Sequence, residues 1–133
     1  MKSKVKIELE INAMPLKEEI ETVNILIREN LVKKHALFLK ANRRAGLKTP
    51  DVQIDFAEKW EIKSPTKNGK YTIEHAYRAA LLQSPNDIFN LREMPDNLQE
   101  KLTREILRRF RDFRKARKLI IITREEKVLT YEK

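Results

Sequence analysis

With 133 residues the chain is long enough for one domain with its own hydrophobic core. Its 29 Lys and Arg against 20 Asp and Glu leave a formal charge of +9, which points to a polyanionic partner. Cysteine is absent, which excludes disulfides and thiolate metal sites, and the two histidines, His35 and His75, stand too far apart for a local zinc motif.

Met1–Leu9 lacks the continuous apolar core of a signal peptide, and no apolar run approaches the roughly 20 residues of a membrane span. Val5, Ile7, Leu9 and Ile11 alternate with charged residues and predict a half-buried strand. Asn12–Pro15 breaks it, and Pro15 suits a first helical turn. Leu16, Ile20, Val23, Ile27 and Leu31 then form the apolar stripe of a first helix. Ala36–Leu39 reads as a short buried strand, followed by a basic loop with Lys40, Arg43, Arg44 and Lys48.

Val52–Phe56 and Trp60–Lys63 each alternate with period two across a three-residue turn, which predicts a hairpin. Residues 64–70 read as a loop, and Thr72 as the cap of a second helix with Ile73, Ala76, Tyr77, Ala80 and Leu81 inward. Ser84–Asp87 ends that helix, and Ile88–Leu91 forms another strand. A loop through Pro95 leads to the longest helix, whose buried stripe is Leu98, Leu102, Ile106, Phe110 and Phe113. Leu119–Thr123 and Val128–Tyr131 read as the last two strands. The expected architecture is a single α/β domain over residues 1–133, a central mixed sheet flanked by about three helices.

Pro50-Asp51, nine residues, then Glu61-Ile62-Lys63 is the pattern that carries chemistry. Asp51 begins one strand of the hairpin and Glu61 lies on its partner, so the two carboxylates can converge. Glu61 and Lys63, two apart on a strand, share a face. Two carboxylates suit Mg²⁺ or another divalent cation, which polarises a phosphoryl oxygen and lowers the pKa of bound water. Lys63 can orient that water or stabilise negative charge on the transition state. The competing reading makes Glu61 and Lys63 a solvent-facing pair of structural value only.

A third carboxylate is expected from the first helix. At about 100° per residue, Glu19 lies about 80° from the centre of the apolar stripe, against about 180° for Glu18 and about 120° for Glu21. Glu19 alone borders the core. In the longest helix, residues 99–118 hold nine Lys or Arg and three acids. Lys101, Arg104, Arg108, Arg111 and Lys115 form one stripe, the shape of a phosphate-tracking helix or of an ordinary solvated face. Lys67, His75 and Arg78 are further candidates for substrate contact, His75 also as a general acid.

Asn12–Pro15, Thr49–Asp51, Trp60–Pro65, Gln83–Asn86 and Leu119–Thr123, in this order, resemble the C-terminal tRNase domain of contact-dependent growth inhibition toxins. Trp60-Glu-Ile-Lys-Ser-Pro65 is the most specific segment. The resemblance implies a PD-(D/E)XK (restriction-endonuclease-like) core and a toxin-type endoribonuclease acting on tRNA with a divalent metal. It also implies a cognate immunity protein, expected to be acidic against a +9 toxin, and action in the bacterial cytoplasm after delivery from another cell. By position it makes Asp51 and Glu61 metal ligands, Lys63 the catalytic lysine and Glu19 the helix-borne glutamate, with Glu18 as the fallback because the local match there is loose. The chain shows no delivery region, so it is expected to be a cut-out domain or a stand-alone relative. Two other readings share the composition: a DNA endonuclease of the same superfamily, and a non-catalytic nucleic-acid-binding module.

Overall fold

Period-two runs become strands here and 3.6-residue stripes become helices, in the alternating order that builds layered α/β domains. The computed structural model describes residues 4–41 and 49–133. Among them, seven strands form one sheet whose spatial order follows the chain: β1 (Lys6–Leu9), β2 (His35–Phe38), β3 (Val52–Ile54), β4 (Lys59–Lys63), β5 (Asn86–Asn90), β6 (Lys118–Ile122) and β7 (Val128–Glu132). β1 is parallel to β2, β3 is antiparallel to both neighbours, β4 to β6 are parallel, and β7 is antiparallel to β6. The helices are α1 (Lys17–Arg28), α2 (Thr72–Leu81) and α3 (Asp96–Asp112).

Each sheet face has its own apolar cluster. On one, Val23 and Leu26 of α1 join Val52, Trp60, Ile62, Ile88 and Ile120. On the other, Tyr77 of α2 and Leu102, Ile106 and Phe110 of α3 join Phe89, Leu119 and Ile121. Covering both faces explains why β5 is buried at every position and β6 is a nearly unbroken run of Leu and Ile. Among the described residues, no helix is long and apolar enough to cross a membrane.

Several elements depart from the sequence reading for identifiable reasons. α1 stops at Arg28 because Asn30 takes a left-handed conformation (φ 61°). The Leu31 amide donates to Leu26 O at 2.8 Å and the Asn30 amide to Ile27 O at 3.1 Å, a Schellman closure. Leu31 therefore lies beyond the helix. The stripe is also rotated: Thr22, Val23, Ile25 and Leu26 are buried, whereas Leu16 and Ile20 are exposed. β1 ends at Leu9, and its apolar residues Ile7 and Leu9 are exposed on an edge strand.

The hairpin turn falls at Asp55 and Phe56, both at positive φ, two residues earlier than the alternation suggests. Two successive left-handed residues give the turn whose twist matches paired strands. Thr72 does not cap α2. It is the first helical residue, and its hydroxyl accepts a bond from the Gly69 amide at 2.8 Å. Asn86 and Asp87, read as the end of α2, belong to β5. α3 ends at Asp112, so Lys115 follows the helix and does not extend its stripe. Of the basic loop after β2, Arg43, Arg44 and Lys48 lie outside the described residues.

Candidate active site

The β3–β4 hairpin carries the motif, and its backbone fixes Asp51 from both sides. The Asp51 amide donates to Trp60 O at 3.0 Å, and the Leu39 amide donates to Asp51 O at 2.9 Å. One residue into β4's second half, the Ile62 amide donates to Asp51 Oδ2 at 2.7 Å. This places the aspartate carboxyl against the strand that bears Glu61.

Trp60 and Ile62 point into the α1-side cluster, so Glu61 and Lys63 face the α2 side. Glu61 is buried, unlike a solvent-facing residue, and lies 3.4 Å from Lys63 Nζ. Its Oε1 has no hydrogen-bond partner among the described residues. In register beside it on β5 is Asp87. Asp87 has no exposed surface, and neither of its carboxyl oxygens has a partner among the described residues. The Tyr77 hydroxyl, on α2 above this strand, is likewise buried without one.

Glu19 arrives from the first turn of α1. Its Oε1 accepts a bond from the Leu16 amide at 2.8 Å. Leucine has no side-chain acceptor to return the bond, so only half of a capping box forms. The same carboxyl meets Asp51. Glu18 lines the same cavity as Glu19, but it is Glu19, the residue that helical phase favours, that meets Asp51. Glu19, Ile62, Ser64 and Thr66 line one shallow cavity, which sets the start of α1 beside the end of β4.

The electrostatics follow from this crowding. Burial, then contact with Asp51, pushes the Glu19 carboxyl up to about 7. Burial, then the neighbouring Glu61, pushes Asp51 up to about 7. Burial raises Glu61 as well, against the pull of Lys63. Asp87 is pushed up to about 8 by burial, with Lys63 opposing. Burial and the Asp87 charge push the Tyr77 phenol up. Four carboxyl groups thus share one ammonium group.

They form a chain of neighbours and do not converge on one point. Among the described residues, no three His, Cys, Asp or Glu side chains are spaced to hold a metal ion together. The donor set nevertheless fits a hard divalent cation, which needs only one or two protein carboxylates and keeps its waters. Asp51 and Glu61 are the adjacent pair, close enough to share a proton, and no donor among the described residues reaches Glu61 Oε1.

Glu19, Asp51, Glu61 and Lys63, all read from sequence, are therefore brought together. The sequence reading missed Asp87 and Tyr77. Ser84-Pro85 made Asn86 and Asp87 read as the end of α2, and nothing local in Asn86-Asp-Ile-Phe-Asn90 sets Asp87 beside Glu61. Lys67 is exposed in the loop after β4. His75 and Arg78 lie on the outer face of α2, in a groove whose lining includes none of the four carboxylates. Arg104, Arg108 and Arg111 are exposed on α3, as is Lys115 after it.

Comparison with known proteins bears on the same stretch. A search among curated proteins gives no match. A solved structure described as "CdiA-CT/CdiI toxin and immunity complex from Burkholderia pseudomallei" superposes with a TM-score of 0.48 at 17% identity, covering 95% of this chain and 99% of that one. A family model described as contact-dependent growth inhibition CdiA C-terminal domain matches residues 48–128. That span runs from before Asp51 to beyond β6 and takes in Glu61, Lys63 and Asp87; the chain belongs to the family of CdiA C-terminal domains, the toxin domains of contact-dependent growth inhibition.

Proposed function

We propose that this toxin domain is a divalent-metal-dependent endonuclease with a PD-(D/E)XK core, and that its substrate is tRNA. The observation that carries the reading is Glu61: buried, one oxygen unpartnered among the described residues, Asp51 just before β3 on one side, Asp87 on β5 on the other and Lys63 at 3.4 Å. An uncompensated excess of buried carboxyl groups costs stability. Such an arrangement is the usual environment of catalytic acids and metal ligands.

Asp51 and Glu61 would hold Mg²⁺ or another divalent cation. When bound, the cation polarises a phosphoryl oxygen and favours ionisation of a water molecule. Lys63, tethered by Glu61, presents its ammonium group to the attacking water or to negative charge developing on the phosphorus. Burial and the contact with Asp51 raise the Glu19 carboxyl to about 7, which favours a proton shared between the two side chains. The +9 charge, most of it on and just after α3, supplies long-range attraction for a polyanion. The same surface favours an acidic immunity protein as the partner that restrains the toxin.

The test is incubation of the purified protein with total tRNA and with plasmid DNA, in Mg²⁺ and in EDTA. Discrete tRNA fragments that disappear in EDTA are the expected result. Nicked DNA with intact tRNA would keep the site and change the substrate. Cleavage of neither, with binding retained, would make the domain a non-catalytic nucleic-acid-binding module.

A further inference from the structure

We infer that the outer face of the α2–α3 layer is a groove for an unpaired stretch of nucleic acid, with bases seated on α2 and phosphates on α3. The ligand class rests on the function proposed above; the groove adds the requirement that the strand be unpaired.

Along α2, Tyr71, His75, Arg78 and Leu82 recur at +4, +3 and +4 and so share one side of the helix. All four are exposed, Tyr71 at 53% and Leu82 at 65%. The Tyr71 and His75 rings stack with centroids 6.0 Å apart and planes 25° from parallel. The Arg78 guanidinium lies over the Phe113 ring at 4.8 Å. Beside these residues a cavity of about 570 Å³ has an apolar floor that includes Leu82 and Phe113, and no acid lines it. Its basic side chains are His75, Arg114, Lys115 and Arg78, the last paired with Glu74 at 3.2 Å. The volume lies within the roughly 300–1,000 Å³ of small-ligand sites.

α3 supplies the second track. Lys101, Arg104, Arg108 and Arg111 are exposed, and none enters an ion pair among the described residues. Arg109, which faces inward, is instead held by Glu74 of α2 at 3.7 Å. The free cations therefore run along the helix toward Arg114 and Lys115 at the cavity.

An aromatic and apolar floor beside a line of unpaired cations matches the chemistry of a single strand, whose bases expose their π-faces and whose backbone carries the charge. A duplex hides those faces in its stack and would meet only the cations. An acidic protein would find charge complementarity but leave the stacked Tyr71–His75 pair without a planar partner.

The experiment is fluorescence anisotropy in EDTA, comparing a short single-stranded RNA with the same sequence annealed to its complement, and then with the DNA equivalents. The single strand is expected to bind about tenfold tighter than the duplex, and Tyr71→Ala or Leu82→Ser to lower its affinity about tenfold without changing the salt dependence. Equal affinity for duplex, equal competition by polyphosphate, or no effect of either substitution would overturn the inference. Both side chains are largely exposed, so unchanged thermal melts will show that the variants fold. Because EDTA removes cleavage from the readout, a protein that binds single strands without cutting tRNA keeps the groove and loses the proposed activity. One that cuts tRNA but binds duplex equally does the reverse.

Discussion

Two clusters of charged side chains sit at opposite levels of compensation in this fold. In the first, Arg92 pairs with Glu21 and, at 3.4 Å, with Glu126, which in turn takes Arg28 at 2.7 Å. Two arginines meet two glutamates and tie α1, the loop after β5 and the β6–β7 turn. In the second, Lys63 is the one cation set against Glu61 and Asp87 among the described residues, which also leave three buried carboxyl oxygens without hydrogen-bond partners. Both are built from carboxylates and basic side chains. Balance marks the first as an intramolecular clasp, while imbalance marks the second as a place that awaits positive charge.

The largest expected difference between them is in activity. Asp51→Ala and Lys63→Ala should each lower tRNA cleavage at least about a hundredfold, as loss of a group acting on the transition state does. Arg92→Ala should lower the melting temperature by a few degrees and leave cleavage per folded molecule within about twofold. Equal losses in initial-rate assays normalised to folded protein would dissolve the distinction between the clusters.

Next in size is an inversion of the usual effect of a buried substitution. Asp87→Asn removes one of the crowded charges and adds a donor beside Glu61 and Tyr77. Without metal at pH 8 it should raise the melting temperature, whereas Arg92→Ala lowers it. In Mg²⁺ the same variant should gain less from the cation than the parent does. A destabilised metal-free Asp87→Asn, read by circular dichroism, would mean that Asp87 is already compensated.

How much of this was legible beforehand can be judged from particular residues. The motif Asp51, Glu61 and Lys63 was readable because its signal is local: a hairpin with period-two alternation puts both carboxylates on neighbouring strands. Glu19 was readable by helical phase, though the stripe used for that phase was itself off, since Leu16 and Ile20 are exposed. Asp87 was not readable. Its partnership with Glu61 depends on β4 and β5 lying parallel in one register, a contact across a whole βαβ crossover that no local pattern encodes. The exposure of Ile7 and Leu9 was equally hidden, because alternation shows that a strand has an apolar face but not whether anything covers it. The end of α3 at Asp112 was missed because Phe113 keeps the helical spacing after the helix has stopped.

A smaller effect, with a definite sign, concerns pH. Glu19 and Asp51 at about 7 and Asp87 at about 8 lie above their unfolded values. Between the unfolded and folded values the native state binds more protons than the unfolded one, so stability falls as pH rises. The stabilising contribution is complete below about pH 4 and is lost as pH rises through about 7 for Glu19 and Asp51 and about 8 for Asp87. Relative to Asp87→Asn, the metal-free parent should therefore lose melting temperature steadily from pH 5 to pH 8. Mg²⁺ should restore more of it at pH 8 than at pH 6, because it competes with the protons. Parallel melting curves for parent and variant across that range would contradict the charge surplus.

The smallest effect tests the outer surface against both clusters. Arg104 and Arg108 have neither the partners of Arg92 nor the burial of Lys63, so replacing them should disturb neither stability nor the chemical step. What they offer is charge in excess of intramolecular need: with Lys101 and Arg111 they make four cations on one face of α3 without an ion pair among the described residues. If that charge meets phosphates, Arg104→Ala and Arg108→Ala should each reduce the slope of log affinity against log salt by about 1. Cleavage at saturating substrate should stay near the parent's, with the loss confined to KM. A slope that does not change would leave α3 as a solvated face, and the attraction for nucleic acid would then have to come from the rim of the α2 groove, where Arg78, Arg114 and Lys115 stand around Leu82 and Phe113.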